Sequence, residues 1–360
     1  MKLLIVTPDY PPPPGGIQTV VRNLEKGLEN QGHTPIIEQI DPEQYTPTKT
    51  DYLPTGRTLS ALQIFSPHFH PFFNTVYRRV TEQIDEHDPD IVHATHIRML
   101  PALQAAESKG IPSIVTAHAL ELSNKRLAAA ALRQATAIHA VSEFTGSIIE
   151  RDHGISPNSI IHPSIDVDRY TPSVETTDES EHNVFTISRI VDRKNIETIV
   201  NAWQEVDESA RGDRTLDIAG TGPKYDSLVE KTERLDSVRM LGRISEADKI
   251  ERLQNADFFV LPAGGMNYDV EGFGIVYIEA QAAGTPVIGS TVGGVPEAVG
   301  DGGTLLDDET DHVELSNKMT KLLSDDTVRE EYVAQARSRI DEFDIDSVAT
   351  QYVELYESLL

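Results

Sequence analysis

Residues 262–300 read P-A-G-G-M-N-Y-D-V-E-G-F-G-I-V-Y-I-E-A-Q-A-A-G-T-P-V-I-G-S-T-V-G-G-V-P-E-A-V-G. The apolar run at 258–261 stops at Pro262 and has the length of a buried strand. A Gly-rich loop follows, ending at Glu271, Gly272, Phe273 and Gly274. From 275 to 283 the period turns helical, with Ile275, Ile278, Glu279 and Ala282 on one face. Gly284 and Pro286 stop that helix, Val287 and Ile288 begin the next strand, and Gly293 and Gly294 open a second Gly loop before a second helix. The stretch therefore reads strand, loop, helix, strand, loop, helix.

In an open parallel sheet, ligands bind beyond the carboxyl ends of the strands, where these loops lie. Helix N-termini there present free N–H groups that suit phosphate. Glu271 and Glu279 occupy the same region, and carboxylates accept hydrogen bonds from hydroxyls rather than hold phosphates. On one continuous helix they would stand about 80° apart. With Glu271 in the loop, the pair can hold opposite ends of an extended ligand. Phosphate at the helix start with hydroxyls on either side describes a nucleotide sugar. The competing reading makes Glu271 a helix-dipole partner and Glu279 a solvated helix residue.

E-G-F-G-I-V-Y-I-E-A, followed by A-G-T-P-V-I and G-G-V-P-E, resembles the retaining glycosyltransferases of family four, with the GT-B architecture. In wording it is most similar to phosphatidylinositol mannosyltransferase-like enzymes. The resemblance covers nearly the whole chain. It implies an α/β fold of two Rossmann-like βαβ domains facing each other across a cleft.

Length and composition fit that outline. The chain has 360 residues, enough for about two domains. It is 39% apolar and 25% charged, the composition of a globular protein with real cores. No apolar run approaches the about 20 residues of a membrane span, and 1–8 read as a first core strand rather than a signal peptide. With no cysteine, disulfides and thiolate metal sites are excluded, and a cytoplasmic location is expected. The net charge of −27 argues against a nucleic-acid partner and resembles the acidic surfaces of halophilic proteins. It is uneven: −5 over 1–170 and −22 over 171–360.

Taken in order, 2–7 is a strand, and a Pro-rich loop ending in Gly15 and Gly16 leads into a helix. The loop is not a dinucleotide fingerprint, since its glycine spacing is wrong. The resemblance implies that it faces the transferred sugar and diphosphate. Residues 41–71 read as a long loop, and Phe65, Phe69, Phe72, Phe73 and Tyr77 concentrate aromatics at its end and just beyond it. A core-facing helix accounts for these; the alternative is an acceptor or peripheral membrane contact, helped by Arg78 and Arg79. His118 follows a strand in T-A-H-A-L, where the resemblance places a histidine near the donor sugar. His68, His70, His93 and His96 form no trusted metal pattern.

A polar, acidic segment at 171–183 reads as a linker. Beyond the next strand, Arg189 and Lys194 stand with four residues between them in R-I-V-D-R-K. Two cations there can balance a diphosphate without a metal. The resemblance makes them the diphosphate grip, with Arg193 as a solvent-facing neighbour. Gly220 and Gly222 form a tight turn, and Arg243 with Ile244 forms another that the resemblance puts beside the base.

These readings imply an acceptor-side domain over 1–170, joined by a C-terminal helix at 346–360, and a nucleotide-sugar domain over 184–345. The expected reaction moves a hexosyl group, from GDP-mannose or a UDP-sugar, to a hydroxyl of a lipid-linked or growing glycan. Retention, no cofactor and no metal are expected. Arg189, Lys194, Glu271 and His118 are the expected catalytic set. Gly15, Gly16, Gly272, Phe273, Gly274, Ile275, Val276, Glu279, Gly220, Gly222, Arg243 and Ile244 are the expected donor-binding set. The runners-up are a non-catalytic nucleotide-sugar binder and a nucleotide-sugar 2-epimerase of the same architecture.

Overall fold

The computed structural model describes residues 1–11, 16–40, 71–172 and 183–360, without the side chains of Pro71 and Phe72. The residues divide into two compact units: Met1–Ser164 with Ile345–Leu360, and Ile165–Asp344. Most of the segment read as a linker lies outside the described residues.

Each unit is built on a six-stranded parallel sheet covered by helices. In the first, β1 (Lys2–Thr7), β2 (Thr34–Gln39), β3 (Ile91–Ala94), β4 (Ser113–Ala117), β5 (Ala137–Ala140) and β6 (Ser159–Ile160) are ordered β2-β1-β3-β4-β5-β6. The chain runs from β1 to β2 on one side and then returns to β3 on the other. In the second, β7 (Asn183–Ile187), β8 (Leu216–Ala219), β9 (Val238–Gly242), β10 (Ala256–Val260), β11 (Val287–Ser290) and β12 (Gly303–Leu306) are ordered β12-β11-β10-β7-β8-β9. Here the reversal falls between β7 and β10. Strands covered on both faces need continuous apolar sequence, and Leu3–Val6 in β1 and Phe258–Val260 in β10 are fully buried.

The helix Ile345–Glu357 belongs with the first unit. It packs on the helix Gly16–Asn30 so closely that a Cβ on Gly27 would lie 2.6 Å from Ala349 Cβ. A buried polar chain also ties it to the first sheet. Because a carbonyl can only accept, His139 Nε2 must donate to Ile161 O at 2.8 Å. His139 Nδ1 then accepts from Thr116 at 2.9 Å, Thr116 Oγ1 accepts from His93 Nε2 at 2.7 Å, and His93 Nδ1 accepts from the Tyr356 hydroxyl at 2.8 Å. One carbonyl thus fixes two tautomers, and both rings are neutral. Burial drives each histidine down to about 3.

Residues 165–170 pack with the second unit, upstream of the boundary the sequence suggests after residue 170. Ile165 bridges to Asp344, and Tyr170 is buried in the second core. In the helix Pro71–His87, Val76, Val80 and Ile84 are buried, which supports the core reading of its inner face. Phe65 and Phe69 lie outside the described residues.

Candidate functional site

The reversal of strand order in the second sheet makes a crevice between the loops after β7 and β10, the place where such sheets take ligands. These loops are stitched together by their main chains. Gly264 N donates to Arg193 O at 2.7 Å, and Asn195 Nδ2 donates to Pro262 O at 2.9 Å. Gly294 N donates to Glu271 O at 2.9 Å, and a Cβ on Gly294 would fall 2.1 Å from Gly272 O. Only glycine allows the loop after β11 to lie directly on the loop that carries Glu271.

The crevice holds a charged cluster. Lys194, only 8% exposed, donates through Nζ to Glu271 Oε2, and Arg193 Nη1 donates to the same oxygen at 3.0 Å. Arg193 Nε also meets Asp269 at 3.2 Å. Arg193 is therefore not the solvent-facing neighbour expected from sequence. The 3-10 turn Asp192–Lys194 points its two cations the same way, and Glu271 takes both. Burial pushes the Glu271 carboxyl up, but Lys194 and Arg193 outweigh it and hold it below the usual carboxylate range. Two cations and two carboxylates cancel within this cluster. Arg189 is exposed, and its guanidinium makes no ion pair among the described residues, so it keeps a full charge at the crevice.

Gly274 sits at φ 101° and starts the helix Ile275–Ala282; a Cβ there would strike the Tyr277 ring at 2.6 Å. Gly272 is half-buried beside it, and Ile275 and Val276 are half-buried at the helix start. The Phe273 ring is buried against Phe343, with centroids 5.8 Å apart, so Phe273 can offer a ligand only its backbone. One turn into the helix, Glu279 is 7% exposed. Its Oε1 accepts from the Tyr170 hydroxyl at 2.7 Å and from Lys249 Nζ at 2.8 Å. A solvated helix glutamate does not fit this environment.

Gly220 and Gly222 follow β8. A Cβ on either would fall within 2.3 Å of the Ser188 or Ile190 carbonyl oxygen, so both glycines let the β8 turn sit on the β7 loop. Arg243 is exposed after β9, and Ile244 packs partly on the second core.

In the first unit, Gly16 opens the helix Gly16–Asn30, and Gly15 lies outside the described residues. His118 follows β4. Its Nε2 lies 3.1 Å from Thr95 O, which fixes the proton on Nε2 and leaves Nδ1 an acceptor. Burial keeps the ring neutral by lowering its pKa, against the pull of Glu121. Glu121 Oε1 accepts the His118 backbone N–H at 2.8 Å, and its Oε2 lies 2.6 Å from His96 Nδ1. Tyr170, Lys249, Arg193 and Glu121 are the neighbours that sequence reading missed. Lys249 alone left a local trace, three residues after Glu246 on one helix face. Among the described residues, no group of three or more His, Asp or Glu side chains could hold a metal ion, and no helix is long and apolar enough to cross a membrane.

Residues 171–339 match the family model for glycosyl transferases group 1, and residues 14–169 match that for Glycosyltransferase Family 4. The GDP-mannose-dependent monoacylated alpha-(1-6)-phosphatidylinositol monomannoside mannosyltransferase of Corynebacterium glutamicum is 30% identical, over 94% of this chain and 93% of its own length. The glycogen synthase of Mycobacterium tuberculosis is 26% identical over 99% of this chain and 94% of its own. Among solved structures, Anabaena HepE in complex with UDP superposes with a TM-score of 0.77 at 18% identity, each chain fully covered. The sucrose-phosphate synthase of Thermosynechococcus elongatus gives 0.74 at 20%, over 99% of this chain and 98% of the other. With those matches and two Rossmann-like parallel sheets, the chain belongs to glycosyltransferase family 4 and has the GT-B fold.

Proposed function

We propose that the chain transfers a hexosyl group, with retention, from a nucleoside diphosphate sugar to a hydroxyl of a lipid-linked or growing glycan. The observation that carries this reading is the Lys194–Glu271 pair at the β7/β10 crevice, with Arg189 exposed beside it. The diphosphate draws on Arg189 and Lys194, and the hexose hydroxyls on Glu271 and the amides of Gly272, Phe273 and Gly274. Glu279 takes the ribose, and the turns at Gly220, Gly222, Arg243 and Ile244 take the base. Ile275 and Val276 lend the helix start. In the first unit, Gly16 and His118 serve the sugar, His118 through its open Nδ1 acceptor.

In the reaction the acceptor oxygen bonds to the anomeric carbon as the bond to the diphosphate breaks. The diphosphate leaves with the electron pair and takes the acceptor's proton. Negative charge grows on the diphosphate, and the two cations stabilise it where it develops. Because they already stand there, the step needs no divalent metal. Donor binding replaces the Lys194–Glu271 pair with two ligand contacts, which favours the bound sugar only when both of its ends are seated.

GDP-mannose is the favoured donor, on the strength of the mannosyltransferase relative at 30% identity. The glycogen synthase relative keeps a glucosyl donor in view. Contact with a membrane through the first unit and adaptation to high salt extend the same reading. A thermal-shift panel of GDP, UDP, GDP-mannose and UDP-glucose in molar salt, followed by product analysis by NMR, tests it. A bound donor raises the melting temperature by mass action. An inverted anomer, turnover abolished by EDTA, or no shift with any nucleotide would each overturn the corresponding part.

A further inference from the structure

Glu279 is not held by its own helix. Its Oε1 is occupied by two donors, the Tyr170 hydroxyl at 2.7 Å and the Lys249 ammonium at 2.8 Å. Among the described residues, Oε2 accepts no hydrogen bond. Tyr170 is itself gripped from several sides. Gln254 Nε2 donates to its carbonyl at 2.8 Å, and Lys249 stands 5.4 Å above its ring. Its hydroxyl also lies 3.0 Å from Glu246 Oε1, and Lys249 reaches that same oxygen at 3.0 Å. A phenol has one proton, yet this one faces two carboxylates. Two carboxylates share one ammonium and one hydroxyl, Arg169 Nη2 comes only within 4.0 Å of Glu246 Oε1, and Glu279 Oε2 is left without a donor among the described residues. A ribose brings two adjacent hydroxyl donors.

We propose that Tyr170 is a positioning residue for the nucleotide. With Lys249 it fixes Oε1 of Glu279 so that Oε2 is turned to the ribose 2′- and 3′-hydroxyls. The proposal rests on the nucleotide-sugar reading above. It adds that recognition of the ribose depends on a residue of the segment that opens the second unit, not on the helix that carries the carboxylate. Without Tyr170, Glu279 keeps its contact with Lys249 but loses one of the two anchors that define its rotamer. The cost should therefore fall on the ribose contact alone.

The test is calorimetric affinity for whichever of GDP and UDP binds more tightly, and for its 2′,3′-dideoxy counterpart. It is run on the wild-type chain, Tyr170→Phe, Glu279→Gln and the double variant, all shown folded by melting. The wild type should prefer the ribonucleotide by at least about ten-fold. Tyr170→Phe should erase most of that preference, weakening the ribonucleotide about ten-fold and leaving the dideoxy compound within about two-fold. The double variant should bind no more weakly than Glu279→Gln. If Tyr170→Phe does not fold, Lys249→Met should lower the same ribo-to-dideoxy ratio. A wild type with no ribose preference removes the ribose assignment of Glu279 and this proposal with it. A wild-type preference that Tyr170→Phe keeps, or equal weakening of both nucleotides, overturns the role of Tyr170 and leaves the assignment of Glu279 standing.

Discussion

Lys194 and Glu271, from loops that follow β7 and β10, form a direct ion pair. The contact joins two residues that sequence alone gives separate tasks, one on diphosphate and one on sugar. Under the function proposed above, a donor that engages both residues competes with this pair. Lys194→Ala should therefore do two things. It leaves Glu271 half-buried with only Arg193 beside it, which should cost about 1–3 kcal/mol of stability. It should also lower kcat more than it raises KM, because the charge it meets grows in the transition state. Denaturant melts and steady-state kinetics at saturating donor measure both; a pure rise in KM would mean that Lys194 only binds.

Arg189→Ala separates the two effects. Arg189 is exposed and unpaired among the described residues, so its loss should change stability by no more than about 0.5 kcal/mol. Turnover should still fall steeply, since this is the one cation of the loop not cancelled by a carboxylate. Equal stability with unchanged kcat would remove Arg189 from the mechanism.

By its contacts Arg193 stands with Glu271, the residue proposed for the sugar hydroxyls. It shares Glu271 with Lys194 and reaches Asp269 in the same loop. Arg193→Ala should loosen the 269–271 segment and raise the donor-sugar KM several-fold, while affinity for the free nucleoside diphosphate stays the same. A variant that loses nucleoside diphosphate affinity instead would put Arg193 in the diphosphate grip.

Much of this architecture was legible in sequence. Local apolar pattern marked the strand Lys2–Thr7 to the residue and the start of the helix Ile275–Ala282, because both are local signals. Arg193, Tyr170 and Lys249 were not legible as site neighbours. Their partners lie 78, 109 and 30 residues away in sequence, and only the sheet order brings them together. Phe273 stands inside the ligand motif for its backbone amide, while its ring serves the core against Phe343. A motif specifies a backbone path to the ligand, and any one side chain along it can turn away.

The second unit, residues 165–344, carries most of the acidic charge, with 38 acidic and 18 basic residues for a net −20. Self-repulsion at that density is screened over about 3 Å at molar salt and over about 30 Å at 10 mM. Melting temperature should fall as salt is withdrawn, and limited proteolysis should cut the second unit first. Melting curves that coincide at 10 mM and 2 M KCl would leave the acidic surface without this role.

Acid should attack the first unit by a different route. His93 and His139 sit in a chain running from Tyr356 to the Ile161 carbonyl, and among the described residues no carboxylate bonds to either ring. The folded chain lowers both to about 3, against 6.5 for a free imidazole, first through burial and for His93 then through the neighbouring ring. Below pH 6.5 the unfolded chain takes up protons that the folded chain refuses. Stability is therefore unaffected by these groups above pH 6.5 and falls as the pH drops from there toward 3. The loss should be on the order of 1 kcal/mol per histidine for each pH unit. Burial lowers His33, His118 and His153 as well, and they add to the same slope. His139→Asn removes one group and should reduce the slope of stability against pH between 6 and 4.5 by about 1 kcal/mol per pH unit, whatever it does to stability at pH 7.5. An unchanged slope would mean that other groups set the acid sensitivity and that the histidine chain only packs the C-terminal helix against the first sheet.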